Sequence, residues 1–150
     1  MATDSSPACF LDPLAERLRA VGLRVTAPRL ETLDWLAEHP HATVDQVAAG
    51  VRARLGAVST QASYDVLHAC ARTGLLRRIE PAGHPARFET RTRDNHHHLV
   101  CRACGRTEDV DCAVGVAPCL EPSASAGFVV DEAEVVFWGF CPDCSGTTRA

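Results

Sequence analysis

The sequence predicts an α+β protein of two modules, and three observations support this class. Apolar residues recur with helical spacing over four segments before residue 75, and two short extended runs follow them. Six of the eight cysteines lie after residue 100, among segments that read as strands. Residues 1–92 carry a charge balance of +1, whereas residues 93–150 carry −5. We therefore expect modules at residues 1–88 and 96–150, joined by a polar hinge at residues 89–95.

The first two helices are predicted from their apolar faces and their ends. Leucine and valine recur at helical spacing over residues 13–21, and Gly22 ends this first helix. Thr26 stands before Ala27 and Pro28, which is typical of a cap followed by a proline in the first turn. A second helix is therefore expected to begin after Thr26.

Two further helices and a hairpin complete the first module. Thr43 and Gln46 have the spacing of a capping box, so the third helix begins at Thr43. Ser59 caps the fourth, STQASYDVLHACARTG, and Gly74 closes it. The runs LLRRIE and ARFETR, joined by PAGHP, predict a hairpin. Helices in this order followed by a hairpin describe a winged helix-turn-helix.

The fourth helix has the two faces expected of a recognition helix in the major groove. Its apolar face is expected to be buried, and its opposite face is polar. An ordinary amphipathic helix with a solvated face has the same pattern, but the following hairpin favours DNA binding. Arginines before the second helix and on the hairpin could reach phosphates. The predicted DNA contacts are Arg24, Ser59, Thr60, Gln61, Tyr64 and Arg77.

Two Cys-x-x-Cys pairs frame the second module and predict a structural zinc site. Cys101, Cys104, Cys141 and Cys144 can supply the four thiolates of a tetrahedral site without a coordinated water. HHLVC, RTEDVD and EVVFWGF read as strands, and a helix is expected near residues 116–126. Two redox dithiols are the alternative. A zinc-dependent enzyme has little support, since the His-x-Glu of zinc deaminases is absent.

The run HHHLVC offers metal ligands on alternating faces of a strand. His96 and His98 share one face, and His97 points the other way. Two imidazoles are too few for tight binding, so further ligands are sought nearby, and exposed, solvated histidines are the simpler alternative. A metal held from both sides of the hinge would fix the angle between the modules. The candidate additional ligands are His41, Glu89 and Asp109.

Three segments resemble the ferric uptake regulator family of bacterial metal-dependent repressors, between about residues 18 and 144. They are GLRVTAPRLETL, VSTQASYDVLHACARTGLLRRI, and NHHHLVCRACG with the late CPDC. The resemblance implies a homodimer with an N-terminal winged-helix domain and a C-terminal α/β dimerisation domain that carries the four-cysteine zinc site. It also implies double-stranded DNA with a palindromic operator as the partner.

The resemblance further implies the metals and their ligands. Zn²⁺ belongs on the four cysteines, and Tyr64 matches a base-contacting tyrosine. A third site of the family would use His97, but its usual histidine partner is missing. The implied regulatory site for Fe²⁺ or Mn²⁺ comprises His41, Glu89, His96, His98 and Asp109.

Within the family, the segments DNHHHLVCRACG, DVDCAVGVAPCL and DEAEVVFWGFCPDC are most similar to actinobacterial peroxide-responsive members, often linked to catalase-peroxidase genes. That resemblance implies that peroxide oxidises a coordinating histidine, His41 or His96. A thiol switch at Cys112 and Cys119 is the rival chemistry. An iron-, zinc- or nickel-responsive uptake regulator and a zinc-stapled protein-interaction module without DNA affinity stay open as functions.

The composition indicates a cytoplasmic protein. No apolar run approaches the roughly 20 residues that span a bilayer, and residues 1–18 do not have the pattern of a secretion signal. Eight cysteines in a reducing compartment favour metal binding or redox sensing over a disulfide framework.

Overall fold

The computed structural model describes residues 8–92, 94, 96–111, 124–130 and 134–146. The chain forms two compact units, Met1–Thr92 and Arg93–Ala150. The boundary between them lies inside the segment for which a hinge is predicted, and the hinge itself stays a prediction. Within the described parts of the chain, no helix has the length and hydrophobicity needed to cross a bilayer.

The described residues of the first unit form four helices, of which the last three have the predicted N-caps. They are α1 (Ala8–Ala20), α2 (Ala27–Glu38), α3 (Val44–Leu55) and α4 (Thr60–Arg72). The helix α1 begins before residue 13, where it was expected to start, and Pro13 lies inside it.

Short polar side chains close the open N–H groups at the helix starts. Thr26 accepts a hydrogen bond from the backbone of Arg29 at the start of α2. Thr43 and Gln46 form a reciprocal capping box on α3, and Ser59 caps α4. These contacts explain why the sequence locates the helix starts accurately.

The four helices pack around one apolar core. The indole of Trp35 crosses α3 at Gly50, where a β-carbon would lie 2.6 Å from its Cζ2 and closer still to two other ring atoms. Only glycine permits this approach of α2 to α3. The largest fully buried apolar side chains of the unit are Leu18, Leu33, Leu36, Val47, Val51, Leu67 and Phe88.

A three-stranded sheet joins this core. The predicted hairpin forms from β2 (Arg77–Ile79) and β3 (Arg87–Glu89), which pair antiparallel. A third strand, β1 (Ala42–Thr43), pairs antiparallel with the outer edge of β3, and Ala42 stands opposite Phe88. Two residues are too short for a pattern of alternation, so the sequence does not predict β1. The pairing brings the residue before β1, His41, beside Glu89.

The described residues of the second unit form a three-stranded sheet and a short helix. Its strands are β4 (His96–Cys101), β5 (Thr107–Asp111) and β6 (Val136–Gly139), and the helix is α5 (Pro142–Ser145). The order is β5-β4-β6, with β4 antiparallel to β5 and parallel to β6. Most of the helix expected near residues 116–126 lies outside the described residues, and residues 124–126 are not helical.

Candidate metal centres and nucleic-acid interface

The four predicted cysteines lie together in the second unit. Because β4 and β6 run parallel, with Cys101 opposite Gly139, the turns that follow them lie at the same end of the sheet. Each turn carries one Cys-x-x-Cys pair. The four sulfur atoms all lie within 4.8 Å of one another. The parallel pairing therefore brings the two distant pairs to one point.

Hydrogen bonds shift the pKa values of Cys101 and Cys144 in opposite directions. The backbone N–H of Cys141 donates to the Sγ of Cys101 at 3.4 Å and is the main cause that lowers the pKa of Cys101 to about 6. Hydrogen bonds between the Cys144 thiol and the side chains of Cys141 and Cys104 raise the pKa of Cys144 to about 12. Cys101 therefore loses its proton more readily than Cys144 does, and the thiolate is the form in which a cysteine binds a metal.

The sulfur geometry fits a tetrahedral zinc ion. Zn–S bonds of about 2.3 Å place the corners of a regular tetrahedron about 3.8 Å apart. The Sγ atoms of Cys104 and Cys141, which belong to different pairs, are separated by 3.8 Å. The residues present therefore fit a structural four-thiolate zinc site.

In the first unit, His41 and Glu89 form a buried pair. The Nε2 of His41 lies 3.0 Å from the Oε2 of Glu89, and the two residues are 7% and 0% exposed. His41 has a positive φ of 61°, which is uncommon outside glycine. The guanidinium of Arg87 donates to the His41 carbonyl at 2.8 Å and supports that backbone conformation. A buried imidazole and a carboxylate at this distance could together supply two ligands to a metal ion.

Arg77 lies beside the same carboxylate. It stands opposite Glu89 in the β2–β3 register, with its Nε 4.0 Å from Oε1 and its side chain 17% exposed. The side chain of Arg78 is 37% exposed. The hairpin register thus places Arg77 near Glu89 rather than in solvent, and Arg78 is the more accessible arginine for a phosphate.

In the second unit, two histidines converge on one carboxylate. The Nε2 atoms of His96 and His98 lie 3.6 Å and 3.5 Å from the same Oδ1 of Asp109. Both histidine side chains are fully buried, and Asp109 is 27% exposed. Their rings meet edge to face at 4.8 Å. The predicted alternation along β4 therefore brings the three side chains together, and the Nε2 of each ring faces Asp109.

The sequence reasoning missed two carboxylates around these histidines. The Oδ1 of Asp94 lies 2.6 Å from the Nδ1 of His96. The Oε1 of Glu134 lies 3.7 Å from the Nδ1 of His98. Asp94 stands two residues before His96, a local signal that could have been read. Glu134 is remote in sequence, and only the β4–β6 pairing brings it near.

The remaining candidate residues are His97, Cys112 and Cys119. His97 points away from Asp109 and lies beside Phe137, with ring centroids 6.3 Å apart. The expected loss of the family's third site stays a prediction. Cys112 and Cys119 lie outside the described residues.

The predicted DNA-reading face of α4 is accessible. Ser59, Thr60 and Gln61 are exposed, and Tyr64 is 42% exposed. On the opposite face, Ser63, Leu67 and Cys70 are buried as expected, and burial raises the pKa of the Cys70 thiol to about 11. The helix α4 therefore has one buried face and one exposed face, as predicted. Arg24, before α2, is also exposed.

Comparison with known proteins agrees with this combination of fold and cysteine cluster. The sequence model of the "Ferric uptake regulator family" matches residues 20–135. The "Transcriptional regulator FurA" of Mycobacterium tuberculosis (strain ATCC 25618 / H37Rv) is 56% identical over 131 residues, which cover 87% of this chain and 89% of that protein. The chain belongs to the ferric uptake regulator family.

More distant relatives extend the comparison. The "Peroxide-responsive repressor PerR" of Staphylococcus saprophyticus is 28% identical over 130 residues, covering 85% of this chain and 86% of that protein. The fold matches the ferric uptake regulator of Helicobacter pylori with a TM-score of 0.67, at 16% identity over 96% of this chain and 97% of the other. The predicted family, fold class and non-enzymatic regulatory role are confirmed at the level of the family.

Proposed function

We propose that this protein is a cytoplasmic metal-dependent repressor that binds palindromic operator DNA as a homodimer and is released by peroxide. The observation that carries the proposal is the convergence of His96 and His98 on Asp109 in a buried part of the second unit. The named relatives include a regulator and a peroxide-responsive repressor, which supports the same function for this chain.

The proposed regulatory site joins ligands from both units. The first unit contributes His41 and Glu89, which already lie 3.0 Å apart. The second contributes His96, His98 and Asp109. Three imidazoles and two carboxylates suit Fe²⁺ or Mn²⁺ in hardness, although intrinsic affinity favours Zn²⁺ when it is available. The four thiolates of the other cluster retain Zn²⁺, because soft ligands select it.

Ligands from both sides of the hinge would link metal occupancy to DNA affinity. A homodimer must place two α4 helices about 34–36 Å apart to read successive major-groove faces. A shift from 1:99 to 99:1 in favour of that spacing requires about 5.5 kcal/mol of differential metal affinity. Because the coupling is reciprocal, operator DNA tightens metal binding by the same factor.

The exposed face of α4 would supply the sequence-specific contacts. Gln61 and Tyr64 are placed to reach base edges, and Ser59 and Thr60 lie at the end of the helix that enters the groove. Arg24 would contact the phosphate backbone. The acidic balance of the second module is compatible with this arrangement, because that module is not the part that reads DNA.

In this proposal, peroxide releases the protein from DNA by oxidising one of its histidine ligands. Bound Fe²⁺ supplies peroxide activation beside its own ligands. The imidazole of His41 or His96 takes up one oxygen atom, and the second peroxide oxygen leaves as water. A ring oxidised in this way is a poorer ligand, so the two units lose the connection that holds the DNA-binding spacing.

Metal dependence is tested by fluorescence anisotropy on a duplex selected by the protein from random sequence in the presence of Mn²⁺. We expect EDTA to weaken wild-type binding by about 5–150-fold, the usual range of allosteric coupling, and Mn²⁺ to restore it. His41→Ala should stay weak with Mn²⁺. The matched control is His39→Ala, since His39 is exposed and stacks on Trp35. Equal affinity in every condition and variant would refute the proposal.

Peptide mass spectrometry after peroxide treatment of the iron-loaded protein separates the sensing chemistries. One added oxygen on the peptide containing His41 or His96 supports the histidine route. Loss of two hydrogens from peptides containing Cys112 and Cys119, with the histidines unchanged, assigns sensing to thiols instead.

A further inference from the structure

The two histidines of β4 share an arrangement in which each ring faces a carboxylate on both sides. Nε2 of each ring faces Asp109. Nδ1 of His96 faces Asp94, and Nδ1 of His98 faces Glu134. We propose that Asp94 is a positioning residue that holds the ring of His96 as the Nδ1–H tautomer and so directs its Nε2 lone pair to the regulatory metal. This inference rests on the proposed function for the metal itself.

The chemistry follows from the two states of a neutral imidazole. One ring nitrogen carries the proton and donates, and the other has the lone pair that binds metal. A carboxylate can only accept, so it stabilises the tautomer with the proton on the nitrogen that it faces, and the nearer of two carboxylates has the larger effect. For His96 the nearer one is Asp94, at 2.6 Å from Nδ1 against 3.6 Å between Nε2 and Asp109. For His98 the two distances are nearly equal, at 3.7 Å and 3.5 Å. Metal-binding histidines are commonly oriented in this way by an outer carboxylate, and loss of that group typically lowers metal affinity about 10–100-fold.

Burial strengthens the effect on these rings. Both histidine side chains are 0% exposed, so solvent does not compete directly for their nitrogens. Asp94 and Glu134 are 38% and 44% exposed. Each carboxylate can therefore remain hydrated on its outer side while its inner oxygen faces a ring. This distribution fits an outer support better than a direct metal ligand.

Asp94 and Glu134 lie at different distances from the rings that they face. The difference predicts which of the two losses weakens metal binding more. The 2.6 Å contact of Asp94 with His96 is a short charge-assisted hydrogen bond. The 3.7 Å contact of Glu134 with His98 has the length of an ion pair without a direct hydrogen bond. Loss of Asp94 should therefore weaken metal binding more than loss of Glu134.

The first test measures tautomers without any regulatory metal. Nitrogen-15 NMR of the zinc-retaining protein, at a pH where the rings are neutral, distinguishes Nδ1–H from Nε2–H at each histidine. We expect His96 to be Nδ1–H in the wild type. Asp94→Ala should release His96 toward a mixture of tautomers, and Glu134→Ala should leave His96 as in the wild type. Asp94→Asn retains an acceptor oxygen and should keep the tautomer of His96.

The second test measures Mn²⁺ affinity of the same zinc-retaining proteins by calorimetric titration. The matched control is Glu108→Ala, since Glu108 is exposed on the neighbouring strand and pairs with Arg106 at 2.8 Å. We expect Asp94→Ala to lose up to about 100-fold in affinity and Glu134→Ala less than about 10-fold. The control should bind like the wild type.

The two ways of failing give different results. A wild-type protein that binds no Mn²⁺ through His96 and His98 overturns the proposed function, whatever the tautomers are. A wild type that binds Mn²⁺, with Asp94→Ala as tight as the control, overturns the positioning role of Asp94 alone. An Nε2–H ring at His96 in the wild type overturns it as well.

Discussion

Replacement of one zinc ligand should unfold the second unit and leave the first unit folded. Cys104→Ser removes one of the four sulfurs that lie within 4.8 Å of one another, and a serine hydroxyl does not replace a soft thiolate. Among the described residues of the second unit, Val100 is the fully buried apolar side chain that lies outside the cysteine cluster. Its burial contributes roughly 1.5–3 kcal/mol, whereas a structural zinc site contributes about 10–16 kcal/mol. The metal term therefore dominates.

The first unit has no such dependence, because it has its own core. Leu18, Leu33, Leu36, Leu67 and Phe88 are at most 1% exposed there. A domain of this size with a continuous apolar core can fold alone. Loss of zinc should therefore leave the helical content of α1 to α4 and abolish the β4–β6 sheet.

Limited proteolysis and two-dimensional NMR of Cys104→Ser check this expectation, with zinc content measured in parallel. We expect rapid cleavage after about residue 93 and retained, dispersed signals from the first unit. The matched control is Asp143→Asn, because Asp143 lies between the second pair of cysteines and its side chain is 85% exposed. A zinc-free Cys104→Ser protein whose second unit resists protease as well as the control does would refute the reasoning.

Three further substitutions test the packing and the DNA-reading face. Gly50→Ala adds a β-carbon 2.6 Å from Trp35 Cζ2; the overpacking should cost about 1–3 kcal/mol and outweigh the gain in helix propensity of about 1 kcal/mol, so differential scanning calorimetry should show a lower melting temperature. In a Trp35→Ala background the same change should stabilise, and destabilisation of equal size in both backgrounds would argue against the clash. Gln61→Ala should lose roughly 1–3 kcal/mol of operator affinity and relax specificity at one base pair, whereas Arg24→Ala should weaken all duplexes alike and reduce the salt slope by about 1. Binding isotherms at several salt concentrations separate these effects, and a sequence-independent loss for Gln61→Ala would contradict a base contact.

Local patterns were sufficient for much of the fold and for part of the candidate site. Thr26, Thr43 and Ser59 cap the helices that they predict, because capping depends on contacts within three residues. The cysteine spacing predicted a cluster that the described sheet does form. Period-two alternation placed His96 and His98 on one face. Whether His41 and Glu89 complete the regulatory site with them stays a prediction.

Other features depended on which strands pair, and no local pattern carries that information. The strand β1 has only two residues, yet its pairing with β3 sets His41 beside Glu89. The hairpin register places Arg77 opposite Glu89, with its Nε 4.0 Å from that carboxylate, and the predicted contact of Arg77 with DNA stays a prediction. Parallel pairing of β4 with β6 brings the two cysteine pairs together and Glu134 to His98. Spacing and periodicity reveal chemistry within a few residues, but contacts between distant segments arise only when the chain buries its apolar faces and satisfies its backbone hydrogen bonds together.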